Sequence, residues 1–181
     1  HIATNNRPIH TASDLEGLSI RIPEGEVFED TFNAFGAVPV QLFVLELYEA
    51  LRLEKLHAQE NPLAIIESLK LYEVIKYISM TSHMWSGFNI IGSLRFWQSL
   101  PEHFQQIILK NVKKYIALQR KHTIDLNHAL SESLKGRGML INTADTSSFR
   151  AHLGQSFYQK WKNEVGTKAW EILESQVGRL T

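Results

Sequence analysis

The chain contains no cysteine, which excludes disulfides, thiolate metal ligands and thiol nucleophiles; that composition suits an oxidising compartment without requiring one. No run approaches the roughly 20 apolar residues that cross a bilayer. The opening His1-Ile2-Ala3-Thr4-Asn5-Asn6 has no charged segment leading into an apolar one, so no targeting signal is visible. Net charge is absent too: nineteen basic side chains cancel nineteen acidic ones. No global field therefore draws in nucleic acid, an anionic membrane or a polyacidic partner, and any preference for anions is local. A His-Glu-x-x-His helix, a Gly-x-Ser-x-Gly elbow, a phosphate loop and a dinucleotide glycine fingerprint are all missing. The eight histidines are scattered, and His122 and His128 point to different faces of one helix. The expectation is no metal, no cofactor, no catalytic residue and no enzyme activity, since no acid/base pair for a hydrolase or lyase can be assembled.

What is present begins with enough apolar content, 44% of 181 residues, to bury a core. From Leu18 to Gly92 short β-like and helical segments alternate: a strand at Leu18 to Ile22, a helix near Val27 to Phe35, a strand at Val38 to Leu42, and helices near Leu45 to Leu53 and Pro62 to Leu71. Val74 to Met80 and Phe88 to Ile91 are further strand candidates, joined by a loop-like connector. This rhythm reads as α/β.

Beyond Ser99-Leu100-Pro101-Glu102, apolar residues from Phe104 through Ile108, Val112, Leu118 and Leu126 to Leu134 recur at three- and four-residue intervals. One amphipathic helix of about 33 residues, about 50 Å long, explains them. Ser99 is its expected N-cap and Gly136 or Gly138 its stop. Lys110, Lys113, Lys114, Arg120 and Lys121 form its solvated face. Met139 to Asn142 reads as a short strand, followed by closing helices at Asp145 to His152 and Tyr158 to Val177 with Phe149, Phe157, Trp161, Trp170 and Leu173 inward. The division expected is 1–100 as an α/β ligand-binding portion and 101–181 as the long helix with a C-terminal helical segment.

One residue stands out within that rhythm. Arg21 lies near the end of an alternating strand that Pro23 stops, and its planar fork suits both oxygens of a carboxylate at any working pH. Asn61, before Pro62, is either an N-cap for the following helix or a ligand contact, and one amide has ends for both. Glu24 either pairs with Arg21, meets a solute or faces water. His83, after two hydroxyl residues, is either a hydrogen-bonding group of the cleft or a satisfied structural histidine. Trp85 is either a shelf for a solute or packing. Glu60 is expected to hold the scaffold.

Arg7-Pro8-Ile9, Asp14-Leu15-Glu16-Gly17-Leu18-Ser19-Ile20-Arg21-Ile22-Pro23, Phe35-Gly36-Ala37-Val38-Pro39, Glu46-Leu47-Tyr48-Glu49-Ala50-Leu51 and Gln59-Glu60-Asn61-Pro62 together resemble the solute-binding proteins of tripartite ATP-independent periplasmic (TRAP) transporters, of the dicarboxylate-binding type. Leu71-Tyr72-Glu73-Val74, Thr81-Ser82-His83 and Phe96-Trp97-Gln98-Ser99-Leu100-Pro101-Glu102 continue the likeness in the same order. Leu56-His57-Ala58 departs from the family's Val-Asp-Gly. Val44 stands where the family often carries an aromatic ring over the ligand.

The resemblance implies a type II periplasmic-binding-protein-like lobe, a mixed sheet flanked by helices, matching the C-terminal portion of a longer pattern whose N-terminal lobe is not represented. It implies a periplasmic protein that binds a small organic acid through Arg21, Asn61, Glu24, Val44, His83 and Trp85 and delivers it to TRAP membrane subunits. Self-association of the chain is a further expectation. The alternative is a helical protein–protein interaction module that binds no small molecule.

Overall fold

The computed structural model describes residues 1–87 and 89–181. Six strands form one mixed sheet in the order β3-β2-β4-β1-β5-β6. They are β1 (Ile2–Thr4), β2 (Ser19–Ile22), β3 (Val38–Gln41), β4 (Ala58–Glu60), β5 (Tyr77–Met80) and β6 (Leu140–Thr143). β2 runs parallel to β3 and β4, and β5 runs parallel to β6. β1 is antiparallel to both of its neighbours.

The period of two along each strand sorts side chains between two cores. Ile2, Ile20, Ile22 and Ala58 face one of them, with Phe32, Phe35 and Phe149. Ala3 and Ile78 face the other, with Leu47, Leu51, Leu63, Ile66, Leu71, Leu130 and Leu134. Seven α-helices flank this sheet among the described residues: α1 (Glu26–Ala34), α2 (Leu47–Arg52), α3 (Leu63–Ser68), α4 (Leu94–Ser99), α5 (Glu102–Gly136), α6 (Thr146–Val165) and α7 (Thr167–Val177). The α/β reading with a mixed sheet and a long helix is what the structure shows.

Several boundaries differ from the sequence expectation. Ser99 is not the N-cap of the long helix: it ends α4, which Ser93 caps through its side chain, and α5 starts after Pro101. Gln105 Nε2 donates to the carbonyls of Trp97 and Leu100 at 3.0 Å each and fixes the corner between the two helices. Of the proposed strand Phe88 to Ile91, Phe88 lies outside the described residues, and 89–91 adopt no regular structure. Leu173 is exposed rather than inward, whereas Phe149 and Trp170 are buried. The first closing helix runs through to Val165, with non-helical backbone at Gly154, where φ of +68° is available to glycine at little steric cost.

α5 is 35 residues long and amphipathic, but of its apolar stripe only Leu130 and Leu134 are buried. They pack with α3 over the second core. The helix stops in a Schellman arrangement: Gly138 N donates to Lys135 O at 2.9 Å and Met139 N to Leu134 O at 3.1 Å, with Gly138 at φ +90°. Arg137 clamps this end by donating to Glu67 at 2.7 Å and to the Tyr72 hydroxyl at 3.1 Å. Phe104, Ile107, Tyr115 and Leu118 are exposed.

The helix is therefore anchored at one end, and stability should follow that asymmetry. In urea unfolding of this chain, Leu134→Ala is expected to cost about 2 to 5 kcal/mol through the cavity it leaves. Leu118→Ala should stay within about 0.5 kcal/mol. Equal losses for the two would contradict the one-ended anchoring.

Candidate functional site

Strand registers place Val40, Arg21, Gln59, Ala3, Ile78 and Ile141 side by side in one row across the sheet. Cross-strand neighbours share a face, so Arg21 and Gln59 are adjacent polar residues on an otherwise apolar surface. Arg21 is only 4% exposed. Its Nε donates to the carbonyl of Leu42 at 2.8 Å, in the turn that follows β3. Among the described residues no carboxylate lies within 4 Å of the guanidinium. Burial lowers its pKa and the more distant Glu60 raises it, and a guanidinium stays charged throughout the physiological range.

Asn61 follows β4 directly and is buried. It does not cap α3: that helix has Pro62 at its N-cap and no side-chain cap. Instead Asn61 Nδ2 donates to Gln59 Oε1. Arg21, Gln59 and Asn61 thus form one cluster beside the C-terminal ends of three parallel strands, the region where open α/β sheets hold ligands.

Glu60 points to the opposite face, as alternation requires. There its Oε2 lies 3.6 Å from His83 Nε2, with the histidine side chain 1% exposed. That separation gives attraction without a hydrogen bond. Thr81 Oγ1 holds His83 Nδ1 at 2.7 Å, and the rings of Phe32 and Phe149 lie 5.5 Å and 6.5 Å from the imidazole centroid. Burial pushes the His83 pKa down, and Glu60 opposes this in part. The His83 imidazole is therefore enclosed against aromatic rings of the first core rather than open to solvent.

The remaining candidates lie at the surface. Glu24 is exposed in the turn after β2, and Val44 is exposed in a 3₁₀ turn running to Glu46, just past the carbonyl that Arg21 holds. Trp85 is 88% exposed on the connector after β5. A surface cavity of about 270 Å³ lined by Ser13, Glu16, Asn33, Phe35, Gly36 and His152 contains no member of the Arg21 cluster. Among the described residues no group of three or more His, Asp or Glu side chains is placed to hold a metal. Sequence reasoning missed Gln59 and the Leu42 carbonyl. β4, in which Ala58, Gln59 and Glu60 are all buried, was not recognised as a strand, and that concealed the first.

Residues 1–164 match the model of DctP, the bacterial extracellular solute-binding proteins of family 7. The chain belongs to this family. It is 31% identical over 164 residues to the sialic acid-binding periplasmic protein SiaP of Vibrio cholerae, covering 90% of this chain and 50% of SiaP. It is 29% identical over 164 residues to the 2,3-diketo-L-gulonate-binding periplasmic protein YiaO of Escherichia coli, with the same coverage. A TRAP periplasmic solute-binding protein from Polaromonas sp. JS666, solved bound to D-erythronate, superposes with a TM-score of 0.85 at 32% identity, over 93% of this chain and 55% of that one. The chain spans about half the length of the curated relatives it matches. The family is one of solute-binding proteins, not enzymes, and its fold is of the type II periplasmic-binding-protein kind.

The buried histidine carries a pH signature. Because its folded-state pKa is depressed, the unfolded chain takes up that proton first as pH falls. The contribution is complete above the ordinary histidine pKa and is lost on acidification. Stability should therefore decline from about pH 7 toward pH 5, by at most about 1.4 kcal/mol per pH unit for one proton. Glu174, pulled down to about 2 by the backbone amides of Leu180 and Thr181, acts only at lower pH. In urea titrations between those limits His83→Gln should flatten the slope, and an unchanged slope would remove His83 as its source.

Proposed function

We propose that the protein is the extracytoplasmic solute-binding component of a TRAP-type secondary transporter. It takes a small organic acid by its carboxylate at Arg21, with Asn61 orienting the acid, and hands it unchanged to membrane subunits from the periplasm. The observation that carries this reading is Arg21 itself: a guanidinium 4% exposed, with one neutral backbone acceptor. A buried cation left without a counter-ion is costly, and a solute carboxylate supplies one with matching bidentate geometry. Relatives named for sialic acid and diketogulonate, and a neighbour holding D-erythronate, are binders of acids, which favours the same class here.

Relatives are about twice as long as this chain. In the whole protein a second lobe would close over the Arg21 cluster by hinge motion, with Glu24, Val44 and Trp85 at its margin. The uncovered stripe of α5 supports a second reading, a helical protein–protein interaction module that binds no small molecule. Ligand linkage separates the two: organic acids raise the melting temperature of a binding protein and leave a docking module unmoved.

The central test is substitution of the anchor in the complete gene product. A charge-assisted contact of about 1.5 to 3 kcal/mol corresponds to about ten- to a hundredfold in affinity. Calorimetry of Arg21→Ala should show at least that loss for whichever acid the wild type binds, and Arg21→Lys should recover only part of it. Wild-type affinity in Arg21→Ala would reject carboxylate capture at this position.

A further inference from the structure

The chain as a whole carries no net charge, but its charges are not evenly spread. Between Glu102 and Asp125, about six turns of α5, there is no acidic residue, and five basic ones occur: Lys110, Lys113, Lys114, Arg120 and Lys121. At 3.6 residues per turn all five fall on one face, and between them that face carries only Ala117 besides. Each is exposed, and among the described residues none has a carboxylate within 4 Å. Elsewhere the protein sets an acid three positions from an exposed helical cation, as with Glu49 and Arg52 or Glu132 and Lys135. Here Lys110 repels both Lys113 and Lys114 with nothing to offset it, an arrangement that costs the helix stability.

The basic face lies about 170° around the helix from the apolar stripe of Phe104, Ile108, Val112, Tyr115 and Leu126. Whatever covers that stripe therefore leaves the cations open to a different partner.

We propose that this face of α5 is a docking surface for an anionic lipid bilayer, with the five cations set against phosphate-bearing headgroups. Four of the five are lysines, whose compact, well-hydrated charge attracts in any direction, whereas arginine is the residue suited to fixed bidentate pairing. Lysine is depleted at protein–protein interfaces, which are anchored by aromatic residues and arginine instead, and this face holds no aromatic residue. The row from Lys110 to Lys121 is about 16 Å long and straight, so all of it can approach a plane at once. Each cation held near an anionic leaflet strengthens partitioning about fivefold. The attraction is weak enough to be reversible and confines the protein's search to the membrane plane. This goes beyond capture of an acid and does not depend on Arg21.

The test is co-sedimentation of the complete gene product with vesicles of phosphatidylcholine alone or with about 30% phosphatidylglycerol added, with no organic acid present. Wild type should bind the anionic vesicles at least about tenfold more tightly than the neutral ones, and raising salt from about 0.1 M to about 1 M should abolish the difference. Replacing Lys110, Lys114 and Lys121 together by Gln should weaken anionic binding about a hundredfold. Glutamine keeps the helix propensity of lysine, and far-UV circular dichroism checks that the fold is kept. Replacing Lys55, Lys70 and Lys168 by Gln, three exposed lysines away from this face, changes net charge equally and should leave binding within about twofold.

Equal losses in the two triple variants would overturn the proposal, because net charge and not the α5 face would then be responsible. Equal binding of wild type to both kinds of vesicle would also overturn it. So would no binding to either, which would assign the row to an acidic protein surface instead.

Discussion

An arginine cation drawn into a sheet row, with a single carbonyl for company, is the constraint around which this molecule is arranged. The row that contains it has Val40 on one side and Gln59, then Ala3, Ile78 and Ile141, on the other, so its surroundings are apolar apart from that one amide. Removing a full charge from water costs several kcal/mol even after relaxation, and one neutral hydrogen bond to Leu42 does not offset that. The fold nevertheless holds Arg21 there by a strand paired on both edges. A site built in this way is poor economy for stability and good preparation for an anion. In the proposed capture of an acid the solute would supply the counter-charge, and none of the binding energy would be spent on moving the guanidinium into place.

The segment Gln59-Glu60-Asn61 shows how a strand distributes three polar residues between two jobs. Alternation sends Gln59 and Asn61 to the Arg21 face and Glu60 through to the other. On that far side Glu60 meets His83, which is wedged between Phe32 and Phe149 and tied by Thr81. The two clusters share a backbone but not a core. Changes at His83 therefore reach the Arg21 cluster only by shifting β4, whereas changes at Gln59 reach it directly. The electrostatic influence of Glu60 on Arg21 acts across the sheet and raises the pKa of a group that is already charged.

Legibility in the sequence followed the strength of the local pattern. Strands β2, β3 and β5 and helix α1 declared themselves through alternation, helical period and proline or glycine punctuation, where local preference and tertiary environment agree, and α5 did so through its helical period alone, since most of its apolar stripe is uncovered. Strands β1 and β4 did not. Each is three residues long and buried on both faces, so Ile2-Ala3-Thr4 and Ala58-Gln59-Glu60 present no alternation of apolar and polar residues for a period of two to reveal. The same burial hid Gln59, whose partner comes from two residues onward and whose environment comes from β1 and β2. His83 was legible as a residue to watch, but its place was not. Two preceding hydroxyl residues suggest a polar cleft, whereas Phe32 and Phe149, distant in sequence, enclose it. The end of α5 was readable from Gly138, since the backbone there takes a conformation that favours glycine. Its beginning was not, because Ser93 and Ser99 are equally good caps on paper and only the corner fixed by Gln105 decides between them.

How strongly the Arg21 cluster grips an acid depends on what covers it. Two opposite charges 4 Å apart attract by about 1 kcal/mol in bulk water and by about 4 kcal/mol at the effective dielectric found near protein surfaces. The first value sustains only a weak, easily exchanged association, while the second approaches what a specific carrier needs once a few hydrogen bonds are added. On the proposed reading this chain contributes the ends of parallel strands, one cation and two amides. The difference between those two values must come from excluding water around them. On the proposed reading, a chain half the length of its relatives would carry the chemistry that selects the ligand's charge. The dielectric that makes the charge count is set by whatever closes over Arg21, and this is why a mutation that merely loosens closure would mimic, in affinity, the loss of the anchor itself.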